Sequence, residues 1–137
     1  MESSVAIQVL PKVQDTKEVC RIVDEVIAYI AGTGYNYFVG PFETTIEGPY
    51  DALMDIVKEC QHVAVRAGAP GVSAYIKVAY KPEGEVLSID QKIGKYQKQA
   101  AAGRGTVPAG AGVVGTGCIR VDSQLYLSIR LEMTNTG

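Results

Sequence analysis

The sequence has almost no surplus charge and no long apolar run. Its 137 residues include 13 lysines and arginines against 15 aspartates and glutamates, for a formal net charge of −2. A balance so near neutrality gives no electrostatic footprint for nucleic acid or for an anionic membrane surface. No stretch approaches the roughly 20 consecutive apolar residues that a membrane-spanning helix needs. We therefore expect neither a nucleic acid nor a membrane as a partner.

Residues suited to metal binding or acid–base chemistry are also scarce. His62 is the single histidine, and no carboxylate or thiol stands at a matched spacing from it. Cys20, Cys60 and Cys118 are an odd number without metal-ligand spacing, and the first two fall near apolar helix stripes, where cysteine behaves as a small hydrophobe. We expect no metal and no cofactor. Because no basic region followed by an apolar run opens the sequence, we expect no signal peptide and a cytoplasmic protein.

The first third of the chain predicts a strand followed by an amphipathic helix. Residues 5–11 alternate with at least one fully apolar face, and Pro11 ends the strand. Asp15 and Glu18 have the spacing of a capping box, so a helix should begin at Thr16. Apolar residues then recur at helical spacing as far as the glycines that end the helix.

The following residues, up to residue 99, supply the remaining elements. Aromatic and β-branched residues predict two strands joined by a short Gly40-Pro41 turn, which indicates an antiparallel hairpin. Proline at a first helical position is a signal for a second helix. The expected segments are strands over 35–39, 42–47 and 72–81, a helix that begins at Pro49, and a short third helix capped by Ser88 and Gln91.

The order of these elements is β-α-β-β-α-β with a short extra helix. Two helices of similar length must cover one face of a four-stranded antiparallel sheet, and right-handed crossovers leave few other topologies. The sequence therefore predicts an α+β protein of ferredoxin-like architecture.

Composition changes beyond Gln99. Residues 100–117 are mostly alanine and glycine and hold six of the fifteen glycines, too few side chains to offset the entropy of ordering. We expect a ligand-binding domain over 1–99 and a flexible extension over 100–137, with a possible edge strand near 118–131. The glycine pattern over 110–115 matches a dinucleotide-binding motif but lacks the strand before it and the helix after it, so a linker explains it better.

Polar residues concentrate on the strand that follows Gly40-Pro41. Glu43, Thr44, Thr45 and Glu47 stand close together there. Two interpretations stay open on the pattern alone. Threonine suits strands and glutamates can face solvent, which favours an ordinary strand. Alternatively, hydroxyls and a carboxylate fixed on rigid strands beside tyrosines form a pocket for a flat heteroaromatic ligand with an amino group or a positive charge.

Three segments resemble the small thiamine-binding (YkoF-like) family, over residues 5 to about 97. They are VAIQVLP, YFVGPFETTIEGPYDALMDIVKE and VRAGAPGVSAYIKVAYKP. The resemblance implies a ferredoxin-like fold that assembles through its sheets into homodimers or homotetramers, and binding of thiamine or its hydroxymethylpyrimidine half without established catalysis. Matching positions imply Thr44 and Glu47 as the first ligand-binding candidates. Strand neighbourhood adds Thr45, Tyr37 and Gln8.

The leading hypothesis is therefore a non-enzymatic carrier, buffer or sensor for thiamine or a related pyrimidine. The alternative is an oligomeric regulatory or protein-interaction module without a small-molecule ligand. An enzyme acting on thiamine precursors ranks last, because a spacing of four along a strand separates the Cα atoms of Glu43 and Glu47 by about 13 Å, too far for the usual carboxylate pair.

Overall fold

A computed structural model describes residues 1–103 of the chain, which form one four-stranded sheet and three helices. No helix within these residues is long and apolar enough to cross a membrane. The elements are β1 (Ser3–Pro11), α1 (Thr16–Gly32), β2 (Asn36–Val39), β3 (Thr44–Gly48), α2 (Tyr50–Arg66), β4 (Val72–Tyr80) and α3 (Ile89–Gly103).

The sheet has the strand order β2-β3-β1-β4, and each neighbouring pair is antiparallel. β1 lies in the interior, with Val5 opposite Ile46 of β3 and Val78 of β4. This order, with a helix after β1 and another after β3, is the ferredoxin-like arrangement, so the predicted fold is confirmed.

The core lies between one face of the sheet, which we call the helix face, and helices α1 and α2. Side chains that alternate along β1 meet the apolar stripes of both helices there, as the predicted periodicities require. Cys60 belongs to this core, which confirms its prediction as a small hydrophobe, whereas Cys20 is half-buried. The core members are Val5, Ile7, Val9, Ile22, Val26, Ile30, Ile46, Leu53, Ile56, Val57, Cys60, Ala64 and Ala69.

The first helix begins where the sequence predicts, but its cap differs in one detail. Asp15 accepts a hydrogen bond from the Lys17 backbone N–H at 3.0 Å. Glu18, which a capping box would turn back toward Asp15, accepts instead from Arg21 at 2.9 Å. The arginine one turn later offers a charged donor, and a charged partner forms the stronger hydrogen bond.

The second helix begins at Tyr50, one residue later than predicted. Pro49 is its N-cap, with φ −64° and ψ 139°, and so lies just outside the helix. Proline cannot cap with its side chain, and the carboxylate of Glu2 accepts from the Tyr50 N–H at 2.9 Å. A side chain 48 residues away supplies this cap, which local sequence signals cannot reveal.

The third helix begins at a reciprocal capping box. The Ser88 N–H donates to Gln91 Oε1 at 2.8 Å, and the Gln91 N–H donates to Ser88 Oγ at 3.1 Å, as the sequence predicts. The helix runs to Gly103, so the expected boundary at residue 99 falls inside it. Tyr96 of this helix is exposed. The predicted edge strand near 118–131, the glycine pattern over 110–115 and Cys118 lie outside the described residues.

The apolar side chains on one face of the edge strand β4 are not covered by the helices. Ile76, Val78 and Tyr80 point to the helix face yet are 39%, 46% and 48% exposed. Helices α1 and α2 pack over the interior strands and leave this part of the edge uncovered. Tyr80 stacks on Tyr50 with ring centroids 4.1 Å apart. The uncovered apolar side chains on the helix face of β4, namely Ile76, Val78 and Tyr80, are called the β4 patch below.

Because Cys60 is buried, the free energy of unfolding should fall as the pH becomes alkaline. Burial raises the pKa of its thiol from 9.0 to about 12, since the interior disfavours the thiolate. Because the folded-state pKa is the higher one, the stabilising contribution is complete below pH 9 and is lost as pH rises toward 12. By pH 10.5 wild type should lose about 2 kcal/mol of unfolding free energy relative to Cys60→Ala. Urea denaturation of both proteins at pH 7 and 10.5 measures this; an unchanged difference would contradict it.

Candidate functional site

The sheet has a second face, opposite α1 and α2, which we call the open face. Register places Thr45 of β3 directly opposite Phe38 of β2 on one side and Ala6 of β1 on the other, with Lys77 of β4 beyond Ala6. Small side chains at Ala6 and Ala79 keep the middle of this face low. Bulkier groups at its margins therefore enclose a depression.

Helix α3 lies across this depression and converts it into a cavity of about 500 Å³, which we call the open-face cavity. Its volume lies within the range of about 300–1,000 Å³ that is usual for small-molecule sites. Ile89 and Ile93 of α3 form one wall, and Phe38 and Phe42 form another. The full lining is Ser4, Ala6, Phe38, Gly40, Pro41, Phe42, Glu43, Thr45, Lys77, Val78, Ala79, Ile89, Lys92 and Ile93.

The Gly40–Glu43 turn carries three of the lining side chains, those of Pro41, Phe42 and Glu43. The Gly40 N–H donates to the Glu43 carbonyl oxygen at 2.9 Å, which closes the turn. A Cβ on residue 40 would lie 2.9 Å from the same oxygen, so glycine is required by this close approach. The turn thereby holds Phe42, which is mostly exposed, at the entrance of the cavity.

The polar groups of the lining are two hydroxyls, one carboxylate and two ammonium groups. Thr45 and Ser4 supply the hydroxyls. Lys77 Nζ lies 2.8 Å from Glu43 Oε1, an ion pair that reaches across β1. Lys92 of α3 supplies the second ammonium group. Apolar walls with a few convergent polar groups can hold a flat ring and hydrogen-bond its edge.

Glu47 lies beside the cavity and fixes its helical wall. One carboxylate oxygen accepts from the Asn36 amide at 2.6 Å, and the other accepts a short hydrogen bond from the Ile89 backbone N–H. The second bond satisfies a donor that the first turn of α3 would otherwise leave without a partner. The carboxylate also lies at the positive end of the helix dipole. Each oxygen of this buried carboxylate thus has a hydrogen-bond donor of the protein rather than being left open for a ligand.

The five residues predicted for the site do not come together in one place. Thr45 lines the open-face cavity and Glu47 borders it. Thr44 and Tyr37 belong to the helix face, because they stand opposite the core residues Ile7 and Ile46. Gln8 lines, with Thr44, a separate groove against α1 of about 40 Å³, which has no room for a pyrimidine ring. Their part in ligand binding stays a prediction.

Three residues of the lining are not among those that the sequence indicates for a site, namely Phe38, Lys77 and Lys92. Phe38 falls in the predicted strand 35–39, and its position opposite Thr45 follows only once the hairpin register is known. Lys77 alternates with apolar residues on β4, a signal that placed it on the polar side of that strand. Lys92 gave no usable signal, because nothing in the sequence places α3 over the open face. His62 is exposed on α2 and lies outside the cavity lining.

Comparison with known proteins gives a consistent set of similarities. A family model described as thiamine-binding protein matches residues 5–97. A UPF0045 protein of Clostridium perfringens is 43% identical over 94 residues, which cover 69% of this chain and 96% of the relative. The structure of a domain of unknown function (DUF77) from Bacillus cereus is 38% identical with a TM-score of 0.63, covering 72% of this chain and 93% of that one. A Thermotoga maritima structure, described as a candidate thiamine biosynthesis or salvage protein, is 32% identical with a TM-score of 0.62, covering 70% and 99%.

The role of Glu47 as an anchor for α3 can be tested by removing its carboxylate. Glu47→Ala leaves the Ile89 N–H without its acceptor, at a cost of about 1–3 kcal/mol in the docking of α3. Amide hydrogen exchange in the first turns of α3 should then accelerate at least tenfold, while α1 stays protected. Glu47→Gln, which keeps one acceptor oxygen, should show a smaller change. Equal exchange in wild type and Glu47→Ala would refute the anchor.

Proposed function

The chain belongs to the thiamine-binding protein family, and from this premise we propose that it binds thiamine or its hydroxymethylpyrimidine half in the open-face cavity. The role is that of a carrier, buffer or sensor in the cytoplasm, without chemical conversion of the ligand. The observation that supports this most directly is the cavity itself, which Thr45 and Glu43 line together with Phe38 and Phe42.

The lining matches the chemistry of an aminopyrimidine. The ring is flat and apolar on its faces, and it can lie against Phe38 and Phe42. Its exocyclic amine donates hydrogen bonds, and its ring nitrogens accept them. The hydroxyl of Thr45 does both, and the Glu43 carboxylate accepts from an amine. The proposed contacts therefore use each polar edge of the ring.

Thr44 and Glu47, the candidates implied by resemblance, take indirect parts in this proposal. Glu47 positions α3, and through it Ile89 and Ile93, against the ligand. Thr44 precedes the cavity-lining Thr45 and is buried against the core side of the sheet. Glu43 and Thr45 are the residues proposed to touch the ligand.

A binding role also agrees with the carboxylates near the cavity. Glu43 is paired with Lys77, and Glu47 is held by Asn36 and the start of α3, so the two do not form a pair that shares work on one substrate. Within residues 1–103, no cluster of histidine, cysteine and carboxylate side chains is suited to hold a metal ion. The proposed domain, residues 1–99, contains every residue of the family match, and residues 100–137 are proposed to be an extension that binding does not require.

Calorimetric titration with thiamine and with hydroxymethylpyrimidine tests the ligand and its location together. Thr45→Val removes one hydroxyl from the cavity and should weaken binding about tenfold, the loss expected for one hydrogen bond to a ligand. Thr44→Val is the matched control on the other face and should change the affinity less than twofold. No heat with either ligand at about 0.1 mM protein would refute the ligand. A larger effect of Thr44→Val than of Thr45→Val would refute the assignment of the ligand to the open-face cavity.

The β4 patch favours a second candidate function, an oligomeric module that contacts another copy of the chain. An edge strand with exposed apolar side chains is a template for pairing, and folds that stay monomeric protect such edges. A thiamine-binding homodimer or homotetramer could use the same patch. The ligand-binding function and the oligomeric module therefore differ only in whether the protein binds a small molecule. This observation supports self-association without excluding a ligand.

Solution mass by light scattering tests the patch. Wild type should have the mass of a dimer or tetramer, and Val78→Lys should shift it toward the monomer because a charge would be buried at the contact. Val65→Lys, on an equally exposed valine of α2, should leave the mass unchanged. A monomeric wild type contradicts the interface. An oligomer that no thiamine-related pyrimidine binds or alters would favour the module over the ligand-binding function.

A further inference from the structure

The charges that line the open-face cavity do not cancel. Lys77 and Glu43 form an ion pair, which is neutral in sum. Lys92 also lines the cavity, and its ammonium group has no carboxylate partner among the side chains of residues 1–97. The lining thus carries one surplus positive charge, contributed by α3.

The neighbouring carboxylates are both engaged. Glu43 accepts from Lys77, and each oxygen of Glu47 accepts one hydrogen bond, from Asn36 or from Ile89. Glu47 keeps its negative charge, but its two oxygens face Asn36 and the start of α3 beside the cavity, whereas Lys92 belongs to the lining itself. A ligand with an apolar ring and an anionic end would meet complementary groups at both ends.

We propose that the cavity prefers phosphate monoesters of the aminopyrimidine over the free alcohol, with the phosphate at Lys77 and Lys92 and the ring near Thr45 and the phenylalanine wall. This proposal rests on the proposed function and names its ligand class. Lysine binds phosphate as a point charge and needs no fixed fork geometry, which suits two exposed side chains at the rim of the cavity. The start of α3 is not the phosphate site, because the Glu47 carboxylate already occupies it.

Displacement of an ion pair is part of the proposed recognition. Lys77 can turn from Glu43 toward the phosphate, and this frees the Glu43 carboxylate for the exocyclic amine of the ring. The pair is partly exposed, so breaking it costs little. The phosphate and the amine would therefore be recognised together.

Calorimetry of the full chain with hydroxymethylpyrimidine, its phosphate monoester and inorganic phosphate measures the preference. The monoester should bind about tenfold more tightly than the alcohol at low ionic strength, since its hydrogen bonds are charge-assisted. The ratio should fall as salt is added. Inorganic phosphate alone should bind more weakly than the monoester, because it lacks the ring.

Three lysine variants locate the effect. Lys92→Gln and Lys77→Gln should each reduce the ratio of monoester to alcohol affinity about threefold or more, because each removes one ammonium group from the proposed phosphate position. Lys95→Gln is the matched control on the same helix, since Lys95 lies over the Tyr96 ring and outside the lining. It should keep the full preference.

The outcomes separate this inference from the proposed function. Equal affinities for alcohol and monoester would overturn the phosphate preference and leave the binding function standing. A preference unchanged in both Lys92→Gln and Lys77→Gln would overturn the assigned phosphate position. Inorganic phosphate binding as tightly as the monoester would show an anion site unrelated to the ring. No binding of alcohol or monoester would refute the binding function together with the inference.

Discussion

The alternation of apolar side chains along β1 decides which residues of the sheet face the core and which face the cavity. Val5 and Ile7 are buried against α1 and α2, so Ala6 between them must face the other way. A shift of pairing by one residue would bring the core side chains into solvent, which makes the register energetically specific. Because β3 pairs with β1 in that register, Thr45 and Glu47 reach the open face while Thr44 and Ile46 do not.

The open face would be an ordinary half-solvated sheet surface without α3. The helix encloses it from one side, and the contact that fixes the start of the helix is a carboxylate from the sheet. Glu47 therefore positions one wall of the cavity, although it is not itself part of the lining. Its polar character, which invites assignment as a ligand-binding group, is already used by Asn36 and by the backbone of α3.

The fold follows from the sequence to a large extent, because its determinants are local. Alternation in β1, the helical stripe after Asp15 and the reciprocal Ser88–Gln91 box each act within a few residues. The start of α2 differs from the predicted start by one residue. Its cap is not local, since Glu2 accepts from the Tyr50 N–H from 48 residues away. The exposure of Val78 likewise depends on where two helices come to rest over a sheet.

The candidate site is less predictable from the sequence than the fold, because its residues come together through contacts between distant segments. Thr45 and Glu47 attracted attention through their polarity on a strand, but adjacent strand residues face opposite sides, and the sequence does not say which side carries a cavity. That depends on the packing of α3, which brings Lys92 and Ile93 to residues about fifty positions earlier. No spacing rule links those segments. The resemblance directs attention to β3, and register decides which of its side chains share a surface.

The Glu47–Ile89 hydrogen bond has a thermodynamic consequence for a cavity of this kind. If the roof of a site is docked through few contacts, the equilibrium between docked and undocked roof and the equilibrium of ligand association are linked. A ligand that touches Ile89 or Ile93 would bind the docked form of α3 more tightly than the undocked form. That difference in affinity alone would shift the equilibrium toward the docked form. Ligand binding would then increase the fraction of molecules in which α3 is docked and ordered. The sheet would not need to rearrange.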